Sequence, residues 1–254
     1  MNISSIIIAK DEEKNIGRCI QSQLNCIDEI IVLIDDRTKD STPEIVKSFS
    51  KVKYEIVKWQ GFSAAKKNAV ALTSNDWILW IDADEALTSE LVKELIEFKK
   101  SVPKYDSYSF PRKATFLGRW ILHSGWYPAR ITRLFNKNKI TFSSNDVHEH
   151  LVVTGKTGNF KNDIEHYTDP DIKHYFEKFN NYTTLAADEL VKKGKSFKVF
   201  DLIFRPMAIF IKMFFIKRGF LDGIQGFILA MFSSAYVFTK YCKLWERKIN
   251  RYKV

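Results

Sequence analysis

The chain has 254 residues, 45% of them hydrophobic, which is enough to bury a core in one α/β domain, or in one domain with an appendage, and excludes a disordered chain. Its net charge of +10 is uneven: from Lys192 onward there are fourteen Lys and Arg against three acids, so the rest of the chain is nearly neutral. The three Cys, at 19, 26 and 242, have no metal-ligand or redox spacing, which fits packing residues in a reducing compartment.

The first hundred residues repeat one pattern, an apolar run followed by an amphipathic stretch. "SSIIIA" predicts a buried strand, and the run turns charged too soon for a signal peptide, so the amino end is expected inside the cell. "DEEKNIGRCIQSQL" predicts a helix with Asp11 as N-cap and Ile16, Cys19, Ile20 and Leu24 on one face. "EIIVLID" predicts the second strand, and Thr42-Pro43 starts the next helix, a cap followed by proline at the first helical position. "KYEIVKW" and "SAAKKNAVAL" predict the third strand and its helix, "DWILWID" the fourth strand, and "SELVKELIEFKK" a helix with Leu91, Leu95 and Phe98 aligned. This alternation implies an α/β fold, a mostly parallel sheet with helices on both faces, whose ligands sit at the carboxyl ends of the strands.

Polar residues gather at those ends: Lys10 and Asp11 after the first strand, Asp35, Asp36 and Asp40 after the second, Asp82, Asp84 and Glu85 after the fourth. Residues two apart on a strand project to the same side, so Asp82 and Asp84 are expected to point together over the sheet edge. Two close carboxylates repel unless a cation lies between them. Mg²⁺ or Mn²⁺ suits oxygen ligands and keeps positions open for substrate phosphates. The competing reading is an acidic turn that caps the helix starting near Thr88.

Residues 116–135, "FLGRWILHSGWYPARITRLF", are rich in Trp, Tyr, Arg and Gly. Aromatic faces pack on sugar rings and arginine pairs with phosphate or acid groups, so Trp120, Trp126, Arg130 and Arg133 are candidates for contacts with a saccharide that carries phosphate or acid groups; a packed β subdomain would use the same residues. In "NDVHEHL", residues 145–151, a strand would put Asp146, His148 and His150 on one side and Glu149 on the other. The two carboxylates then share one site only if the strand ends or bulges. His148 and His150 alone are a weak zinc signal.

Residues 170–194 predict an amphipathic helix. In residues 199–241 apolar side chains, Phe220, Leu221, Ile224, Phe227, Ile228, Met231 and Phe232 among them, recur on one helix face, while Arg205, Pro206 and Lys212 interrupt the first half. Neither half offers the about 20 clean apolar residues of a spanning helix. Helices lying in the membrane interface are expected, with Lys217, Arg218, Lys240 and Lys243 near lipid phosphates; the alternative is a hairpin packed on the core. Nucleic acid is a poor fit, because the region carries more aliphatic bulk than base stacking needs.

The stretches "SIIIAKDEEKNIGRCI", "DEIIVLIDDRTKDST", "GFSAAKKNAV" and "NDWILWIDADE" resemble glycosyltransferase family 2, whose members have the GT-A fold. "FPRKATFLGRWILHSGWYP", "TRLF", "VHEHL", "HYTDPD" and "FLDGIQGF…TKYCKLWE" extend the likeness to the lipopolysaccharide core β-1,4-glucosyltransferase branch, across nearly the whole chain. One departure is "DDRTKD", bulkier and more basic than the Gly and Ser that the family commonly has between these acids.

The resemblance implies an inverting transfer of a hexose, glucose from UDP-glucose, to a lipid-linked saccharide such as the lipopolysaccharide inner core. It implies Asp35 accepting from the uracil of a UDP-sugar, Ala9 and Lys10 bordering the nucleoside, and Lys67 facing the base or diphosphate. Asp82 would touch the ribose or hold the metal through water, and Asp84 would ligate Mg²⁺ or Mn²⁺. Glu149, at the centre of the "VHE" element, would be the base, with Asp146 the second candidate and His148 bordering the metal or diphosphate. The expected layout is a nucleotide-sugar half at 1–100, an acceptor half at 101–168 and a basic helical region at 169–254, on the cytoplasmic face of the inner membrane as a peripheral or monotopic protein. The expected partners are the nucleotide sugar, the glycolipid and an anionic membrane surface, without nucleic acid. A polyprenyl-phosphate glycosyltransferase is the nearest alternative. A sugar nucleotidyltransferase would want a glycine-rich first loop where this chain has "AKDEEKN", and a non-catalytic membrane module leaves the acids unexplained.

Overall fold

The computed structural model describes residues 1–142, 151–153 and 155–251. Two compact units divide the chain: Met1–Arg112 with Ala129–His166, and Lys113–Pro128 with Tyr167–Val254.

The first hundred residues form β1 (Ile3–Ala9), α1 (Ile16–Gln21), β2 (Glu29–Asp35), α2 (Thr42–Lys47), β3 (Val52–Val57), α3 (Phe62–Ala71), β4 (Trp77–Trp80), β5 (Glu85–Leu87) and α4 (Ser89–Lys100). Seven strands follow: β6 (Ser107–Phe116), β7 (Arg119–Ile121), β8 (Ala129–Asn136), β9 (Ile140–Phe142), β10 (Leu151–Val153), β11 (Thr157–Asn159) and β12 (Ile164–His166). The main sheet runs β3-β2-β1-β4-β8-β6-β12-β5, while β9 and β10 pair separately. Its first four strands are parallel; β8 is antiparallel to β4, and β6 to β8.

Parallel strands buried on both faces read as continuous apolar runs, and the buried residues sort by face as a period of two requires. Ile3, Ile7, Val32, Ile34 and Leu79 pack with Ile16, Cys19 and Ile20 of α1, Val46 of α2, and Leu91 and Leu95 of α4. Ile6, Leu33 and Ile78 pack instead with Ala69 of α3. Helices therefore cover both faces, as the alternation predicts. Strand β1 lies between β2 and β4, so the strand order reverses there, and the carboxyl ends of β1 and β4 flank the place where such sheets open a crevice.

Helix α1 corrects the sequence reading. It begins at Ile16, not at Asp11, and its N-cap is Asn15. The residues before it bind the neighbouring loop: Asp11 Oδ1 accepts from Lys39 N–H at 2.7 Å, Asp40 Oδ2 from Glu13 N–H at 2.9 Å, and Thr42 Oγ1 from Glu12 N–H at 2.8 Å. Backbone groups satisfied across two loops have no need of a helical ladder. Helix α4 is capped by Thr88, whose Oγ1 accepts from Leu91 N–H at 3.2 Å, so the acids before it are not its caps.

In the second unit the far end of β6 pairs with β7. Helix α5 (Ile172–Lys192) is capped by Asp171, whose carboxylate accepts from His174 N–H at 2.8 Å. Helix α6 (Val199–Ile211), a π turn (Lys212–Ile216), a 3-10 turn (Gly219–Asp222) and α7 (Gly223–Arg251) complete the unit. Phe116, Ile121 and Leu229 form its buried cluster, with Trp126, Tyr175 and Phe232 against them. Large apolar side chains remain exposed along α6 and α7, among them Phe200, Ile203, Met207, Ile224 and Met231. The stretch Gly219–Ile249 is long and apolar enough to cross a membrane by length and composition, contrary to the expectation that neither half is clean enough to span. Lys243, expected near lipid phosphates, instead donates to Asn180 O, Thr183 Oγ1 and Thr184 Oγ1 of α5 at 2.8–2.9 Å.

Candidate active site

The site grows from the carboxyl ends of β1, β2 and β4. Ala9 is buried at the end of β1 and Lys10 beyond it is exposed. Asp35 ends β2 with only 1% of its surface exposed, and Arg37 closes over it. Arg37 Nε donates to Oδ1 at 2.9 Å, Nη2 to Oδ2 at 2.6 Å, and the Arg37 backbone N–H to Oδ1 at 2.9 Å. These bonds favour the charged carboxylate and lower the Asp35 pKa to about 2. The Arg37 guanidinium also lies 5.5 Å from the centre of the Trp59 ring. The bulkier "DDRTKD" loop thus supplies its own cation to the carboxylate expected to meet the uracil.

At the end of β4 the chain leaves the strand at Trp80; Asp82 and Glu85 share Arg133, whereas Asp84 turns to a different partner. Asp82 Oδ2 accepts from Arg133 Nη2 and Oδ1 from Trp80 Nε1 at 3.2 Å. Glu85 is fully buried and accepts from Arg133 Nη2 at 2.8 Å, Arg112 Nη1 at 3.2 Å and the Asp82 backbone N–H at 3.1 Å. Asp84 Oδ2 lies 3.1 Å from His166 Nε2. Burial opposes the charge on Arg133, but Glu85 and Asp82 outweigh it and raise its pKa. The Trp80 ring has Arg133 at 5.0 Å and Lys66 Nζ at 3.9 Å from its centre.

Several of these partners were not singled out from the sequence. His166 reaches Asp84 because β12 pairs antiparallel with β5 in a register that sets His166 opposite Glu85. Arg133 reaches Asp82 because β8 pairs with β4, Leu134 opposite Leu79. Arg133 was expected at the acceptor, but it is 7% exposed and held by the acidic turn. Arg130, given the same role, donates to Ser109 O at 3.2 Å and Phe160 O at 2.6 Å, so its guanidinium anchors backbone. Lys67 is exposed on α3, and its neighbour Lys66 is the one over Trp80. In the second unit Trp120 packs edge-on against Tyr167 with Lys113 Nζ 4.9 Å from its ring centre, and Trp126 packs against Phe116. Asp146, His148 and Glu149 lie outside the described residues.

The donor set at Asp84 can be tested for a divalent cation. Among the described residues no group of three or more His, Cys, Asp or Glu is placed to hold a metal ion. Asp84 and His166 supply one carboxylate and one imidazole, about four-fifths buried, and His166 Nδ1 is buried without a hydrogen-bond partner. Two protein donors with the remaining positions open fit an ion completed by water and substrate phosphates.

The sequence model of glycosyl transferase family 2 matches residues 4–168. The chain belongs to that family. This glycosyltransferase is 33% identical over 260 residues to an uncharacterized glycosyltransferase of Rickettsia typhi, covering 98% of this chain and 88% of the relative. It is 29% identical over 251 residues to the lipopolysaccharide core biosynthesis glycosyltransferase LpsC of Rhizobium meliloti, covering 96% and 92%. Among solved structures, residues 1–349 of S. aureus TarS in complex with UDP-GlcNAc align with a TM-score of 0.47 at 15% identity, over 94% of this chain and 82% of that one.

Proposed function

We propose that this glycosyltransferase moves a hexose, glucose from UDP-glucose, to a lipid-linked saccharide of the lipopolysaccharide inner core by one inverting displacement, at the cytoplasmic face of the inner membrane. The observation that carries the reading is the gathering of Asp35 and of the Asp84–His166 pair at the carboxyl ends of β2 and β4, in the sheet whose order reverses at β1. The name of the Rhizobium relative supports a lipopolysaccharide acceptor.

In this reading Asp35 accepts from the uracil once Arg37 has let go, with Ala9 and Lys10 bordering the nucleoside. Lys66 and Lys67 offer positive charge to the diphosphate from α3. Arg133 and Trp80 steady Asp82 for the ribose, while Asp84 and His166 would hold the divalent ion. A bound cation would supply electrostatic stabilisation to the departing nucleotide. Glu149 takes the proton of the acceptor hydroxyl, with Asp146 as the second candidate and His148 beside the diphosphate. Trp120, with Lys113 on its ring, offers the acceptor sugar an aromatic face.

Calorimetric titration of UDP with and without Mn²⁺ tests the donor side. Metal-dependent binding is expected in the wild type and metal-independent, weaker binding in Asp84→Asn. No UDP binding in either condition sinks the reading. Glu149→Gln is expected to lower kcat by about a hundredfold or more while UDP affinity stays unchanged; full turnover passes the base role to Asp146.

A further inference from the structure

The second unit contains a cavity to which the transfer chemistry assigns no role. Its volume is about 610 Å³, and His123, Trp126, Tyr127, Lys212, Lys217 and Ser233 are among the residues that line it. The wall is built by the 122–128 loop and by the α6–α7 hairpin.

One buried carboxylate fixes that wall. Asp222, 2% exposed, accepts from Leu122 N–H and His123 N–H, both at 3.1 Å, and from Ser124 Oγ at 3.2 Å. It also meets His123 Nδ1 at 2.9 Å. Ser124 N–H in turn donates to Lys217 O at 2.9 Å, so the loop is stapled to the turn that carries Lys217. Gly125 holds φ +81°, and a Cβ there would lie 3.6 Å from Lys217 Cγ, which shows how closely the lysine stem follows the loop. With four donors around it, the Asp222 charge is satisfied within the loop.

What the cavity presents is therefore positive. No Asp or Glu lines it, and among the described residues no ion pair holds Lys212 or Lys217. The lysines alternate along the chain with exposed apolar side chains: Ile211 is 46% exposed, Phe215 56% and Ile216 69%. Ammonium groups set among apolar side chains are the pattern that meets a phosphate at the boundary between headgroup and acyl chain. A phosphate alone would leave most of this volume empty. The Trp126 and Tyr127 wall suits the sugar that a phosphorylated glycolipid carries and a simple phospholipid lacks.

We propose that this cavity binds the phosphorylated saccharide headgroup of a glycolipid, with Lys212 and Lys217 on the phosphate and the aromatic wall on the sugar. The proposal rests on the reading of a lipid-linked acceptor and adds to it the site that holds the acceptor at the membrane.

Vesicle co-sedimentation of the full chain tests it, on phosphatidylcholine vesicles doped either with a phosphorylated disaccharide lipid or with phosphatidylglycerol. The double variant Lys212→Ala/Lys217→Ala is compared with Lys192→Ala/Lys198→Ala, which removes the same charge from exposed positions of the same unit. On phosphoglycolipid vesicles the cavity pair is expected to lose about tenfold to thirtyfold in affinity and the control pair far less. On phosphatidylglycerol vesicles the two pairs are expected to fall alike. Ser233→Phe fills the cavity without changing charge and is expected to weaken only the phosphoglycolipid arm, with an unchanged melting temperature. Equal losses for both pairs on phosphoglycolipid, an equally large cavity-specific loss on phosphatidylglycerol, or full affinity in Ser233→Phe overturns the proposal. UDP titration of the same proteins separates the two ideas: a wild type that binds phosphoglycolipid through the cavity but never UDP defeats the UDP-glucose reading and leaves the cavity assignment standing.

Discussion

The two acidic strand ends of the first unit meet their cations in opposite ways. At β2 the partner is local: Arg37, two residues from Asp35, has a side chain 53% exposed and can swing into water. At β4 it is distant: Arg133 arrives from β8, buried, and its guanidinium serves Asp82 and Glu85 together. At β2 only the arginine is half in water, so it can trade its place on the buried carboxylate for a ligand donor, whereas the β4 cluster strands a charge whichever member is removed. The contrast teaches a division of labour. The β2 carboxylate can exchange its arginine for a ligand, and the β4 cluster keeps the turn that carries Asp84 in place.

The sharpest way to break this comparison is to remove the buried partner. Arg133→Met leaves Glu85 charged and short of a donor, and the unfolding free energy is expected to fall by about 3–5 kcal/mol in urea titrations. Adding Glu85→Gln to the same protein should restore part of the loss, because the stranded charge goes with it. A penalty below about 1 kcal/mol would place the two strand ends in the same class.

Next in size is the pair beside the cluster. Asp84→Asn is expected to lower kcat by about a hundredfold with a nearly unchanged melting temperature, since Asp84 is the member of the turn assigned to the ion. His166→Ala is expected to raise the Mn²⁺ concentration for half-maximal rate by about tenfold. If either variant instead unfolds as Arg133→Met is expected to, Asp84 and His166 belong to the scaffold.

Legibility in the sequence follows the same physics. Strands β1, β2 and β4 could be read because burial on both faces forces unbroken apolar runs, and α4 because its cap and its apolar face are local. The start of α1 could not, because its acids act across to residues 39–42, which no local pattern records. The acids at the strand ends were visible as a cluster, but the partners that hold them were not. Arg133 and His166 reach the turn through β8–β4 and β12–β5 registers set by the whole sheet. Lys66 and Lys67 differ by one helical step of about 100°, which composition cannot resolve into a side facing Trp80 and a side facing water.

The smallest expected effect bears on the local pair. Arg37→Ala removes the group that competes with a ligand for Asp35, so UDP affinity measured by calorimetry should rise by about two- to tenfold, the worth of one or two exchanged hydrogen bonds. The same variant has an acid signature. Arg37 holds the folded Asp35 at a pKa of about 2, below the ordinary carboxylate value near 4. A depressed folded pKa contributes stability that is fully present above the ordinary value and is lost as pH falls through the folded one. The gap in melting temperature between wild type and Arg37→Ala should therefore be open at neutral pH and close between about pH 4 and pH 2. Weaker UDP binding in the variant would mean that Arg37 itself holds the nucleotide, and the β2 end would then be a fixed binding wall rather than a pair that opens.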